Sequence, residues 1–124
     1  DVSARDVQTA HKQWYFGKSL DGFTPIGPCI VTADAFADYP PRLGIRSFVN
    51  GEKRQDSNTA LQIFDIDHVI AELSQGMTLK AGTIIATGTP AGVGMGMDPP
   101  QFLKPGDVVR CEIEGIGTLT NPVE

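Results

Sequence analysis

The clearest pattern along the chain is an alternation of apolar and polar residues over positions 43–49. Such alternation is typical of a β-strand with one buried face. Asn50 and Gly51 follow directly, and this pair favours a type I′ turn because both central positions of that turn need a positive φ angle. The pattern therefore predicts a β-hairpin whose returning strand covers residues 52–55.

Helical spacing occurs at two other places. Ser3 and Asp6 have the separation of a capping box, which predicts a helix over residues 4–13. Asp65 precedes apolar residues at helical spacing, and Gly76 follows them, so a second helix is expected between these two residues.

Short β-branched or apolar runs predict the remaining strands. Two of them lie at residues 29–32 and 59–64. Residues 79–85 and 103–109 are each expected to form a tight turn that leads into a β-branched strand, and residues 108–123 should form a final hairpin. About seven short strands and two helices predict an α+β, β-rich fold, closer to a rolled sheet or sandwich than to a βαβ protein.

Composition and charge narrow the class of protein. The chain has 124 residues, 40% of them hydrophobic, so we expect one domain with a buried core. A net charge of −5 without a basic run argues against nucleic acid as a partner, and the short apolar runs argue against a membrane span. Cys29 and Cys111 are expected to be buried free thiols in a reducing cytoplasm, with a disulfide as the alternative.

Polar residues near the start of the chain are the candidates for chemistry. Arg5 and Gln8 share one face of the predicted helix, Asp1 precedes it, and Lys18 follows a glycine that allows its ammonium to fold back. This cluster could hold a hard divalent cation or form a network of salt bridges. The spacing favours the network, because Asp1 and Asp6 are too few for an oxygen-ligated metal site.

Two histidines and one glycine-rich stretch are expected to have structural rather than catalytic or binding roles. His11 should be a packed or surface residue and His68 an exposed helix residue, and neither is expected to bind a metal. The glycine-rich stretch 88–102 is expected to be a loop. It is not a phosphate-binding motif, because it lacks Gly-Lys-Ser/Thr and because Pro99 and Pro100 prevent the helix that such motifs lead into.

Several long segments, in order, resemble the fumarylacetoacetate hydrolase family. They are DVSARDVQ at 1–8, GKSLDGFTPIGP at 17–28, VNGE at 49–52 with RQ at 54–55, SNT at 57–59, TGTPAGVG at 87–94 and FLKPGD at 102–107. The resemblance covers nearly the whole chain and implies a mixed β-sandwich roll with two short helices, assembled as a homodimer. It also implies that residues 1–124 are the carboxy-terminal portion of a single catalytic domain.

The resemblance implies roles for five residues. Asp1 matches a metal ligand, for Mg²⁺ or alternatively Mn²⁺ or Ca²⁺. Arg5, Gln8 and Lys18 match residues that bind substrate and stabilise the enolate or oxyanion formed during catalysis, as the donors around a developing negative charge should. Thr89 matches a position that contacts the substrate carboxylate, although it is also a plausible turn residue.

Two features of the family pattern are missing from this sequence. The family has a Glu-x-Glu pair that completes the metal site and a histidine-glutamate pair that activates water, both from sequence further upstream. Because the chain begins at a motif residue rather than at Met, an earlier segment is expected to precede it and to supply metal ligands and base.

The expected activity is metal-dependent hydrolysis of a carbon–carbon bond in an acylpyruvate or a related α-keto or β-diketo acid, in the cytoplasm. One alternative is a decarboxylase or isomerase of keto diacids that resemble oxaloacetate or hydroxymuconate, on the same site. Another is a non-catalytic family member. In the enzymatic interpretations, the partner is a small keto acid.

Overall fold

A computed structural model describes residues 1–10 and 12–124 of the chain. Four strands form one antiparallel sheet: β1 Gly44–Val49, β2 Glu52–Asn58, β3 Val108–Ile113 and β4 Gly117–Pro122. Their order across the sheet is β2-β1-β3-β4. Two α-helices, α1 Arg5–Ala10 and α2 Ile66–Ser74, complete the regular structure together with short 3₁₀ turns. The fold class is therefore α+β and β-rich, as predicted.

The predicted central hairpin is confirmed. Asn50 and Gly51 have φ angles of 53° and 84°, and Val49 pairs with Glu52 across the turn. The returning strand continues to Asn58 and is thus longer than predicted. The final hairpin is also confirmed, because β3 and β4 pair along their length around the bend between them.

The side chain of Asn50 fastens this turn to the start of β3. Its amide nitrogen donates to Asp107 Oδ1 at 2.8 Å, and its Oδ1 accepts from the Val108 amide at 2.8 Å. The Asn50 hydrogen bond, followed by one from the backbone of Lys104, lowers the pKa of Asp107. The resulting stabilisation is present above the ordinary carboxyl pKa and is lost as the pH falls through the lowered value.

Replacing Asn50 by alanine should loosen the hairpin by more than replacing it by glycine. Both changes remove the two hydrogen bonds, but only alanine also bears the left-handed backbone penalty of about 1–2 kcal/mol. The backbone amide of residue 50 donates to the Val108 carbonyl at 2.9 Å, a bond that both variants can keep, so the hydrogen-exchange protection of this amide measures the effect. Equal protection in the two variants would show that the φ angle of residue 50 contributes nothing.

The two helices differ in how well their ends were predicted. Asp65 caps α2 by accepting from the His68 amide at 2.8 Å, and His68 is exposed, as expected. The first helix spans only Arg5–Ala10, shorter than the predicted 4–13. The expectation for His11 falls outside the described residues. Within those residues, no helix has the length and apolar character needed to cross a membrane.

Three predicted strands are absent from the described residues. Residues 29–32 and 79–85 lack strand structure, and Thr59–Leu61 is a 3₁₀ turn. At that turn the Thr59 hydroxyl donates to the Pro41 carbonyl at 2.8 Å and accepts from the Leu43 amide at 2.9 Å. Strand propensity depends on having a neighbouring strand, and local side-chain bonding replaces it here. The sheet therefore has four strands rather than about seven.

The expectation of a buried core is wrong for the described residues. None of their hydrophobic side chains is buried, and Gln8, at 5% exposure, is the buried polar residue. Large apolar side chains such as Trp14, Ile30 and Ile63 are mostly exposed, the last at 91%. Exposed apolar surface of this extent is typical of regions that another polypeptide surface covers.

Both cysteines are free, as expected in preference to a disulfide, but their predicted burial is wrong. Cys29 and Cys111 are exposed. The Cys29 thiol lies 3.8 Å from the carbonyl oxygen of Ile116, close to the bend between β3 and β4. The two cysteines are exposed for the same reason as the large apolar side chains: no other described segment covers them.

Candidate functional site

A close backbone contact places Lys18 beside the first helix. The Ala4 amide donates to the Gly17 carbonyl at 2.8 Å. A Cβ atom on Gly17 would lie 2.9 Å from the Ala4 carbonyl oxygen and from the backbone and side chain of Gln8, which is closer than real Cβ atoms come. Only glycine permits this approach, and it determines where the next residue, Lys18, begins.

Lys18 and Asp1 form the first pair of the site. The Lys18 ammonium donates to Asp1 Oδ1 and to the Ser3 hydroxyl, each at 2.8 Å. The Lys18 side chain is 35% exposed and that of Asp1 43%, so both remain accessible to a ligand. The flexible lysine folds back over the start of α1, as its position after a glycine predicts.

Arg5 and Gln8 form the second pair. The Arg5 guanidinium donates to Gln8 Oε1 at 2.8 Å across one turn of α1. Gln8 is buried, so its amide holds Arg5 in a fixed direction. The helical spacing that placed these two residues on one face is confirmed.

The two pairs influence each other electrostatically. Burial and, to a smaller extent, the positive charge of Arg5 lower the pKa of Lys18, although Asp1 accepts a hydrogen bond from it. Two cations beside an amide and one carboxylate can bind an anionic substrate and stabilise negative charge on an oxygen atom.

Thr89 lies in a loop and belongs to a second cluster, in which this loop contacts strand β2. Gln55 donates to Thr89 Oγ1 at 2.8 Å and to the Pro90 carbonyl at 2.9 Å, and Ser47 donates to Gln55 Oε1 at 2.8 Å. Among the described residues, no hydrogen bond or ion pair joins Thr89 to Asp1, Arg5, Gln8 or Lys18. The contact between Thr89 and a substrate carboxylate stays a prediction.

Arg54, next to Gln55, was given no role in the sequence analysis. Its guanidinium lies 3.1 Å from the Met97 sulfur and also bonds the Gln101 side chain, and its Nε is buried without a partner among the described residues. A Cβ atom on Gly92 would lie 2.1 Å from the Arg54 carbonyl oxygen. Only glycine allows this contact, so the glycine-rich loop is pressed against β2. The glycine spacing was the signal in the sequence.

The described residues do not form a metal site by themselves. No group of three His, Cys, Asp or Glu residues within 1–10 and 12–124 lies close enough to hold a metal ion. Asp1 supplies one carboxylate, and its Oδ1 already accepts from Lys18. A Mg²⁺ ion needs about six oxygen ligands in octahedral array.

Comparison with known proteins gives a match over the full length of the chain. The sequence model of the family described as "Fumarylacetoacetate (FAA) hydrolase C-terminal" matches residues 1–124. The oxaloacetate tautomerase YisK of Bacillus subtilis is 50% identical over 123 residues, which are 99% of this chain and 40% of that protein. The chain thus spans less than half the length of this curated relative.

Comparison with solved structures also gives close matches. A fumarylacetoacetate hydrolase from Exiguobacterium antarcticum superposes with a TM-score of 0.93 at 54% identity, over 98% of this chain and 43% of that one. A 2-hydroxyhepta-2,4-diene-1,7-dioate isomerase from Mycobacterium marinum gives a TM-score of 0.83 at 46% identity, over 98% and 44%. The four-stranded sheet and its helices therefore have the architecture found in these structures.

Proposed function

This chain belongs to the fumarylacetoacetate hydrolase family, and we propose that the protein carrying it is an isomerase or tautomerase of keto diacids. Its relatives are enzymes, and those named for oxaloacetate tautomerisation and for isomerisation of an unsaturated dioate support this reaction. They favour the isomerase alternative over the carbon–carbon hydrolase that was the first expectation, which is supported only by membership of the family.

The observation that carries the proposal is the cluster of Lys18 and Arg5 around Asp1 and Gln8. Tautomerisation moves a proton between carbon and oxygen, and an enolate oxygen carries negative charge in between. The proton on carbon would be exchanged by a base from elsewhere in the protein. Lys18 and Arg5 supply positive charge at that oxygen, where preorganised donors have their largest effect. The lowered pKa of Lys18 makes its proton easier to share with the enolate oxygen.

The remaining residues fix the geometry of these donors. Asp1 and Ser3 hold the Lys18 ammonium at 2.8 Å each. Gln8 holds the Arg5 guanidinium, so the cation does not have to reorganise as charge develops. We assign Thr89 to one carboxylate of the diacid, where its hydroxyl can donate.

A divalent metal is part of the proposal, because enzymes of this family generally depend on one. We propose Mg²⁺, with Mn²⁺ or Ca²⁺ as alternatives, and Asp1 as one ligand. Since no three ligand residues come together among the described residues, the steps above rest on side chains such as Lys18, Arg5 and Gln8 and not on the metal.

We also propose that the protein is a homodimer. The extensive exposed apolar surface, which includes Trp14 and Ile30, supports burial against another surface. A cytoplasmic location stays a prediction, which the two free cysteines support.

The reaction type can be tested by following three products at once. With oxaloacetate, the protein carrying this chain should accelerate the conversion of the enol to the keto form, measured by loss of enol absorbance. It should release little carbon dioxide from oxaloacetate and little pyruvate from an acylpyruvate. Rapid pyruvate release would instead support the hydrolase, and carbon dioxide the decarboxylase.

A further inference from the structure

The side chain of Gln55 has only one orientation that satisfies its neighbours. Its Nε2 donates to the Pro90 carbonyl at 2.9 Å, and a carbonyl oxygen can only accept. Turning the amide over would place Oε1 against that carbonyl oxygen. The Ser47 hydroxyl, at 2.8 Å, completes the assignment by donating to Oε1.

This orientation decides what the Thr89 hydroxyl can do. Gln55 Nε2 also donates to Thr89 Oγ1 at 2.8 Å, so the hydroxyl oxygen is the acceptor of that bond. The hydroxyl proton is not used there and is free to donate elsewhere. A hydroxyl that accepts from an amide on one side is well suited to donate to a carboxylate on the other.

The surrounding structure keeps the side chains of Ser47, Gln55 and Thr89 aligned. Ser47 and Gln55 are directly paired across β1 and β2, at a register shift between Ser47 and Phe48. Such irregularities in a ladder re-aim side chains and are frequent beside active sites. The same loop contacts Arg54 on β2 at further points. Met97 and Gln101 bond the Arg54 guanidinium, and Gly92 lies against the Arg54 backbone. The loop that carries Thr89 therefore cannot slide along the strand.

We propose that Gln55 is a positioning residue, which directs the Thr89 hydroxyl proton towards a substrate carboxylate, with Ser47 fixing the Gln55 amide. The inference rests on the proposed function, in which Thr89 contacts a carboxylate of a keto diacid. It adds a determinant of specificity, since the network favours a substrate with a charged group at this position over one with a neutral group.

Gln55→Glu tests the inference in the protein that carries this chain. Glutamate has the same shape but accepts where glutamine donates, so it loses the bond to the Pro90 carbonyl. The Thr89 hydroxyl should turn to the new carboxylate and present its lone pairs to the substrate. Hydrogen bonds to charged groups are strong enough that KM for the diacid should rise at least about ten-fold. The value of kcat should change much less, because the bond forms equally in ground and transition states.

Two comparisons separate positioning from a structural role. The increase in KM should shrink for one of the two monomethyl esters of the same diacid, which lacks the charge that Thr89 binds. It should also largely disappear when Gln55→Glu is made in a Thr89→Val background, as coupled residues in a double-mutant cycle require. Gln62→Glu, which adds the same charge at an exposed position, is the matched control and should leave KM unchanged.

Ser47→Ala tests the same network without adding charge. It should raise KM several-fold, again only for substrates with the charged group, and this result would support the inference even if Gln55→Glu failed to fold. An unchanged KM in both variants, or an equal loss with the diacid and both esters, would overturn the positioning role alone. Inactivity of the unmodified protein on every keto diacid would overturn the proposed function, and the inference with it.

Discussion

Replacing Lys18 by methionine should lower kcat by roughly 10²-fold or more while leaving the fold nearly intact. The ammonium, which bonds Asp1 and Ser3, is the donor proposed for the enolate oxygen, and removing one such donor typically has an effect of this size. The loss of folding stability should be small. The ion pair with Asp1 is partly exposed, and ion pairs of that kind contribute little to stability.

The measurement pairs kcat for keto–enol interconversion with the melting temperature of the protein that carries this chain. Lys53→Met is the matched control, because Lys53 also forms an exposed ion pair, with Asp56, but has no proposed role in the site. The control should keep the full kcat. A lower melting temperature with unchanged kcat in Lys18→Met would assign Lys18 to structure.

The pH dependence gives a second signature of Lys18. Because its pKa is lowered, activity that depends on its proton should fall on the alkaline side earlier than an ordinary lysine would cause. In Lys18→Met this alkaline decline should disappear from the residual activity. Persistence of the decline in the variant would assign it to another group.

The elements that could be predicted from the sequence are those determined by a few neighbouring residues. Asn50 and Gly51 adopt positive φ angles, which asparagine tolerates and which glycine adopts without a steric penalty, and the hairpin follows. Asp65 caps a helix by bonding an amide three residues away. Both signals are local and need no knowledge of the rest of the fold.

The strands predicted at residues 29–32 and 79–85 fail because a strand also needs a partner. Both segments contain β-branched residues, yet neither lies beside another strand among the described residues. The predicted core fails for a related reason. Composition gives the amount of apolar surface, but what covers each side chain depends on packing against other surfaces.

In the candidate site, too, contacts between neighbouring residues could be predicted and contacts between distant segments could not. The helical spacing of Arg5 and Gln8 placed them together, since three residues make almost one turn. Gln55 received no role, because its importance comes from the docking of a distant loop onto β2. That docking depends on contacts at Gly92 and Arg54, and only the glycine spacing hinted at them.

Asp1→Asn should weaken Mg²⁺ binding by at least about 10²-fold in the whole protein that carries this chain. Substitutions in the outer shell of a metal site already cost about 10–100-fold in affinity, and a direct ligand should cost no less. Asparagine keeps an oxygen but loses the negative charge that a hard cation prefers. Calorimetric titration of Mg²⁺ measures the effect without depending on activity.

The control and the shorter chain make this prediction specific. Asp6→Asn removes the same charge from an exposed position on α1 and should leave Mg²⁺ affinity nearly unchanged. The 124-residue chain by itself should bind Mg²⁺ weakly and show no turnover, because its described residues form no three-residue ligand cluster. Tight binding by that chain, or full affinity in Asp1→Asn of the whole protein, would show that the metal ligands are not those proposed here.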